Sequence, residues 1–283
     1  MNPVMTPYAA GWKRGWTEFR HSMSSPSDIA GYLFPTGIAM VVILFLRDVD
    51  LGGGAVSLGA MSLPSLLGMN IAFGGFMGAV GTLITEREDG TLLRAKAIPN
   101  GMIGYLIGKI ISNSAFIAAG MVVVLIAGLM MFDGVALDGP ASVLMLIAVL
   151  VLGLFASMPI GAVLGSLITN PRNMGLVMLP IMGVIAVSGI FYPITALPTW
   201  LQWIGQAFPF YWLGLGMRSA LLPDGAVVLE IGESWRHLET IAALGLWTAL
   251  GLILAPPVLR RMARRESGSA VAARRERAMQ IVR

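Results

Sequence analysis

The 283-residue chain has no cysteine and only two histidines, His21 and His237, far apart in the sequence. Disulfides, thiolate metal sites and cysteine catalysis are therefore excluded, and the two histidines lack the partner ligands that a zinc or haem site would need. Charge is scarce as well: 12% of residues are charged, against about a quarter in an ordinary soluble domain. No polar stretch is long enough to enclose a soluble core. What is abundant is apolar surface, with 56% hydrophobic residues, 19 methionines and a mean hydropathy of +0.79. Such a chain reads as a single integral membrane domain. Its net charge of +4 comes from cations beside the apolar segments, the arrangement of membrane-flanking residues, so nucleic acid is not an expected partner.

Residues 1–28 do not have the layout of a signal peptide, because the first uninterrupted apolar run begins only at Ile29. Trp12, Trp16, Phe19 and Met23 instead recur at helical spacing, with Lys13, Arg14, Arg20 and His21 on other faces. An amphipathic helix lying in the membrane interface is expected, ended by Ser24-Ser25-Pro26. Beyond it, the intervals between charges mark six segments that approach or exceed the roughly 20 apolar residues of a bilayer crossing. They are Gly31–Leu46, Leu58–Ile84, Met102–Met131, Ala141–Thr169, Met174–Ile194 and Leu238–Leu259. The expected fold is thus an all-α integral membrane protein with six transmembrane helices, occupying 29–259 after the N-terminal interfacial helix and followed by a basic tail, 260–283. Lys and Arg in the short connections place both termini in the cytoplasm, with acids such as Asp133, Asp224 and Glu230 outside.

The stretch from Asn173 through Met217 carries no charge and is interrupted by Pro193, Pro198 and Pro209. It is too long for one crossing. A fifth span followed by short helices that dip into the outer leaflet, over 195–237, is expected, anchored by Trp200, Trp203, Tyr211 and Trp212. Glycine pairs at four-residue spacing, Gly74/Gly78 and Gly161/Gly165, are expected to serve close helix packing.

Catalytic patterns are missing: there is no Gly-x-Ser-x-Gly elbow and no His-Glu-x-x-His. Gly104-Tyr-Leu-Ile-Gly108-Lys109 resembles a phosphate loop only superficially, since one spacer residue is absent and Ile110 stands where Ser or Thr is required. Charges inside the spans, the usual mark of proton coupling, are also absent; Lys109 lies near a helix end, from which it is expected to snorkel. If the protein moves something uphill, the energy must come from a partner. The place to receive it is 85–101, where Glu86, Arg87, Glu88, Asp89, Arg94 and Lys96 put six charges into eleven residues between two apolar segments. Gly90 is expected to end the preceding helix, Thr91 to cap the next turn, Leu92, Leu93 and Ile98 to form its apolar side, and Pro99 to break it.

Glu86-x-Glu88-x-Gly90-Thr91-Leu92, with Pro99 and Gly108-Lys109 following, resembles the cytoplasmic loop of ABC-2 type membrane subunits, the permease half of ABC exporters. Ser188-Gly189-Ile190-Phe191-Tyr192-Pro193, Leu197-Pro198-x-Trp200-Leu201, Pro209 and Arg218 resemble the outer segment of the same family, and the nearest branch in appearance is the daunorubicin-resistance-like permeases. The resemblance implies that 85–101 carries a coupling helix, with Glu86, Arg87, Glu88, Asp89, Gly90, Thr91 and Arg94 as ATPase-coupling residues, and that the N-terminal helix is a connecting helix. It implies a separate ATP-binding cassette subunit, which holds the ATP and magnesium, and a second membrane subunit, identical or paralogous. No cofactor is expected on this chain and no enzymatic activity of its own. A substrate path lined by the second and fifth spans would include Asn70, Phe73, Met77, Met178 and Met182. Export of an amphipathic drug or lipid-like substrate is the first expectation; a polysaccharide carrier and a membrane scaffold that recruits a soluble partner are the alternatives.

Overall fold

The computed structural model describes residues 6–49, 57–98, 101–168 and 174–265. Within these, ten α-helices follow one another: α1 Thr6–Ser24, α2 Pro26–Phe45, α3 Leu58–Glu88, α4 Thr91–Ala97, α5 Gly101–Met131, α6 Pro140–Leu167, α7 Met174–Val187, α8 Thr199–Ala207, α9 Pro209–Leu221 and α10 His237–Arg265. The break between α1 and α2 falls at Ser25, whose hydroxyl accepts the Asp28 amide at 3.4 Å while Pro26 occupies the first helical position. Ser57 caps α3 in the same way, accepting from the Ala60 amide at 3.2 Å.

Five helices, α2, α3, α5, α6 and α10, are long and apolar enough to cross a bilayer. Their outer faces carry Phe34, Phe45, Val123, Met130, Leu144 and Ile253 in the open. Side chains of that kind in such number need a lipid solvent. α3, at 31 residues, is about 46 Å long at the standard rise and outruns a hydrocarbon core of about 30 Å.

The segment expected to cross from Met174 to Ile194 is helical only over Met174–Val187, 14 residues, or about 21 Å. Ser188 and Gly189 end it: the Ser188 hydroxyl donates to the Ile185 carbonyl and accepts the Ile190 amide, and Gly189 turns the chain at φ +65°.

α3 is the centre of the bundle, packed on α6, α9 and α5. Gly161 and Gly165 of α6 lie against the α3 backbone, where a Cβ at Gly161 would sit 2.3 Å from the Phe76 carbonyl oxygen. Gly74 and Gly78 of α3 receive Ile117 and Asn113 of α5. Both glycine pairs therefore do the close packing that their spacing suggests. α1 lies along α5, and α10 along α6.

Candidate functional site: a charged anchor beneath the elbow

α3 ends at Glu88, and the chain reverses over Asp89 and Gly90, the latter at φ +80°. Gly90 is the N-cap position of α4, and Asp89 just before it accepts the Thr91 amide on Oδ1 at 2.7 Å. The hydroxyl of Thr91, expected to cap, instead accepts from Arg94 Nη2 at 3.0 Å, because the residue two positions earlier already satisfies the free amide. Leu92 and Ala95 insert among Leu83, Tyr105, Ala255, Leu259 and Met262, which pins α4 to α3, α5 and α10. Ile98 does not join that apolar side; it lies beyond the last turn of α4 and is exposed, as is Arg94. Pro99 and Asn100 fall outside the described residues, as does the Glu88 side chain.

Below the elbow, four charges from three helices converge. Lys109 of α5 places its ammonium 2.5 Å from Glu86 Oε1 of α3 and 2.8 Å from Glu18 Oε2 of α1. Arg14, one turn before Glu18, donates from Nε to Glu18 Oε1 at 2.8 Å, approaches Glu86 at 3.9 Å, and lies over the Tyr105 ring at 5.3 Å. Two cations and two carboxylates cancel, with Glu86 buried and Arg14, Glu18 and Lys109 each still partly exposed. Burial alone would raise the Glu18 carboxyl, but the hydrogen bonds from Lys109 and Arg14 outweigh it and hold the group below its ordinary value. Lys109, expected to snorkel, is paired with carboxylates of two neighbouring helices while about a quarter of its side chain stays exposed. A carboxylate on each neighbouring helix supplies what the headgroup region would have offered, at shorter range.

α1 reaches this position through glycine. Gly11 and Gly15 face Gly104 and Gly108 of α5, and a Cβ at Gly15 would sit 2.6 Å from the Gly108 carbonyl oxygen. The superficial phosphate loop is thus one half of a helix crossing. Elsewhere on α1, Tyr8, Trp12, Trp16 and Met23 are exposed, and Arg20 lies over the Trp16 ring at 5.7 Å.

The elbow residues consequently divide. Glu86 is buried and faces inward, Arg87 donates to the Ile168 carbonyl at 3.0 Å, and Asp89 and Arg94 face outward. A long apolar bundle with this anchored, charged elbow is the setting in which comparison with known families decides. The sequence profile described as ABC-2 family transporter protein matches residues 49–255, well over half of the chain. The chain belongs to the ABC-2 transporter family. No curated protein matches it. Membership makes it the multi-pass membrane component of a transporter, a component without an ATP site of its own, and implies a partner ATP-binding subunit.

In this ABC-2 chain the residues expected in the outer segment are held by a second charge pair. Arg218 of α9 donates from Nε to Glu230 Oε1 at 2.6 Å, and both side chains are 1% exposed. Its Nη1 also reaches the Ile190 carbonyl at 3.1 Å and Ser65 of α3 at 3.4 Å. The pair lies in α9 and the segment after it, beside the crossing-length helices and not within one. Tyr211 and Trp212, expected as outer anchors, are buried against the core because α9 packs on α3 and α6. Trp200 and Trp203 are exposed on α8. Pro193 precedes a 3-10 turn over Ile194–Ala196, Pro198 precedes α8, and Pro209 opens α9.

The substrate-path residues also separate. Met77 and Met178 pack against one apolar cluster of Phe76, Val80 and Ile168. Asn70 turns to α2 instead, accepting from the Thr36 hydroxyl at 3.3 Å. Phe73 is half-buried and Met182 exposed.

Proposed function

We propose that the chain is the transmembrane subunit of an ABC exporter and that α4 with its flanking turn is the element through which the partner ATPase drives it. One observation carries this reading: the carboxylate just over one turn before α4, Glu86, is bonded through Lys109 to α5 and sits beside Glu18 and Arg14 of α1. A push on α4 cannot stay local when its root is tied to two further helices. Asp89, Thr91 and Arg94 form the outward face for the partner, while Glu86 and Arg87 pass the movement inward. Gly90 supplies the left-handed turn that aims α4.

Both termini lie in the cytoplasm in this reading, because the elbow and the arginines from Arg260 onward then share one side. α7 with its adjoining residues makes the fifth of six crossings. α8 and α9 re-enter from outside, which the contact of Ala207 with Trp247, ten residues into α10, supports. ATP and magnesium belong to the partner subunit, and a second membrane subunit completes the path. The scarcity of charge along α3 and α7 favours an amphipathic drug or lipid-like substrate over a sugar or an inorganic ion.

The test is co-purification from the native membrane in mild detergent, followed by ATPase assay of the reconstituted complex. A stoichiometric ATP-binding subunit is expected, with substrate-stimulated hydrolysis that Asp89→Ala/Arg94→Ala uncouples while the chain remains inserted. Recovery of the chain without any ATPase would instead favour the scaffold.

A further inference from the structure

We infer that this chain holds a binding site for a small uncharged aromatic compound within its own helices, in the cavity between α7 and the α3–α6 pair. The cavity has a volume of about 250 Å³. It exists because α7 stands off its neighbours, touching α8 far more than α3 or α6. Four rings from three parts of the chain line it: Phe76 of α3, Phe208 and Phe210 at the α8–α9 junction, and Trp247 of α10. Phe208 and Trp247 lie nearly parallel, with centroids 6.0 Å apart and planes at 22°. Ile181 and Val184 of α7 form the opposite wall.

The lining defines the ligand. No charged residue contributes to it. Its two hydrogen-bonding side chains are already engaged, Ser157 with the Gly153 carbonyl and the Trp247 indole with the Ala207 carbonyl at 3.1 Å. A charged or strongly polar guest would lose its hydration and gain no partner. Water has the same difficulty, since a buried water needs two to four polar partners, and an apolar cavity of about 150 Å³ in another protein stays dry and accepts benzene. A larger cavity walled by aromatic faces suits a flat, uncharged ring system, for which offset stacking is available on several sides. The site lies beside the apolar part of a crossing-length helix: Trp247 is ten residues into α10, about 15 Å from its start. None of the five path residues named above lines it, although Met77 and Met178 pack in the same apolar cluster as its Phe76 and Ile181, and binding there requires neither the ATPase nor coupling.

The experiment is photolabelling of the full-length chain in lipid nanodiscs with benzophenone, an uncharged aromatic probe, with labelled peptides mapped by mass spectrometry. Saturable labelling around Phe76, Val184, Phe208–Phe210 and Trp247 is expected, displaced by naphthalene and not by naphthalenesulfonate. Val184→Trp fills the cavity and is expected to reduce this labelling at least tenfold, whereas Leu179→Trp, on the exposed face of the same helix, leaves it unchanged. Ile181→Phe serves as the second filling variant should Val184→Trp fail to insert. Unsaturable labelling spread over lipid-facing residues such as Phe34 and Ile253, or labelling indifferent to both filling variants, would show that the cavity holds bilayer lipid only and overturn the proposal. Because no ATPase is present, either outcome leaves the coupling reading untouched.

Discussion

The ammonium of Lys109 lies between Glu86 and Glu18, 2.5 Å from one and 2.8 Å from the other, so a single side chain joins α5 to both α3 and α1. Removing it leaves two carboxylates facing each other with only Arg14 to balance them. Losing one partner of a fully enclosed pair costs about 3–5 kcal/mol; with Lys109 about a quarter exposed, Lys109→Met should cost about 2 kcal/mol after screening. Lys109→Met/Glu86→Leu should recover most of that stability, since both charges go together, yet remain uncoupled in the ATPase assay. Thermal unfolding of the four forms of this double-mutant cycle gives the first result. Recovery of coupling in the double variant would show that the charges matter only for stability.

Acid should release α1. The Glu18 carboxyl is held below its ordinary value by Lys109 and Arg14 against the opposing effect of burial. A depressed folded value means that the attachment it supports is complete above the ordinary carboxyl range of about 4.5 and is lost as pH falls through the folded value. Amide exchange across Gly11 to His21 should therefore accelerate below about pH 4. Glu18→Gln should show fast exchange at neutral pH, with a flatter acid profile. An unchanged profile would separate α1 from this ion pair.

The spans were legible because hydropathy acts over whole helices: five of the six expected segments are crossing-length helices. α7 was read too long, although Gly189 and Pro193, which shorten the helix, stand plainly in the sequence. The two charge clusters were harder to see, since they draw on positions 14, 18, 86 and 109 and on 218 and 230. A signal was nonetheless present. Lys109 sits eight residues inside an apolar helix, and Arg218 is the first charge after Asn173. A cation in such a place needs a carboxylate or a route to water, and pairing rather than snorkelling is what the neighbouring helices provide. Asn70 gives a related case: nothing local reveals that Thr36, on another helix, donates to it.

Close packing of α1 on α5 gives a second handle on the anchor. A methyl group at Gly15 would sit 2.6 Å from the Gly108 carbonyl oxygen and 2.8 Å from Ile111 Cβ, distances that force the helices apart. Gly15→Ala should cost about 1–3 kcal/mol, the range for overpacking, and Gly15→Leu more. Moving α1 outward lengthens the Glu18–Lys109 contact, so disulfide trapping between cysteines introduced at positions 12 and 107 should slow in the variant. Trapping at the original rate would mean that α1 tolerates the added carbon without moving.

Arg218 and Glu230 make the opposite test, a charge pair with no role assigned in coupling. Arg218 ties α9 to Glu230, to the turn after α7 through Ile190, and to Ser65 of α3. With both side chains 1% exposed, Arg218→Met should destabilise by about 3–5 kcal/mol, because Glu230 is left buried without its partner. Glu230→Gln should cost less, since the amide oxygen still accepts from Arg218 Nε while the guanidinium loses its counter-charge. If the pair serves only to close the outer segment, Arg218→Met/Glu230→Leu should regain stability and transport together, unlike the Lys109 pair. Failure of transport in a stable double variant would make this pair part of the moving outer gate, with opening that depends on breaking a bond no apolar substitute can remake.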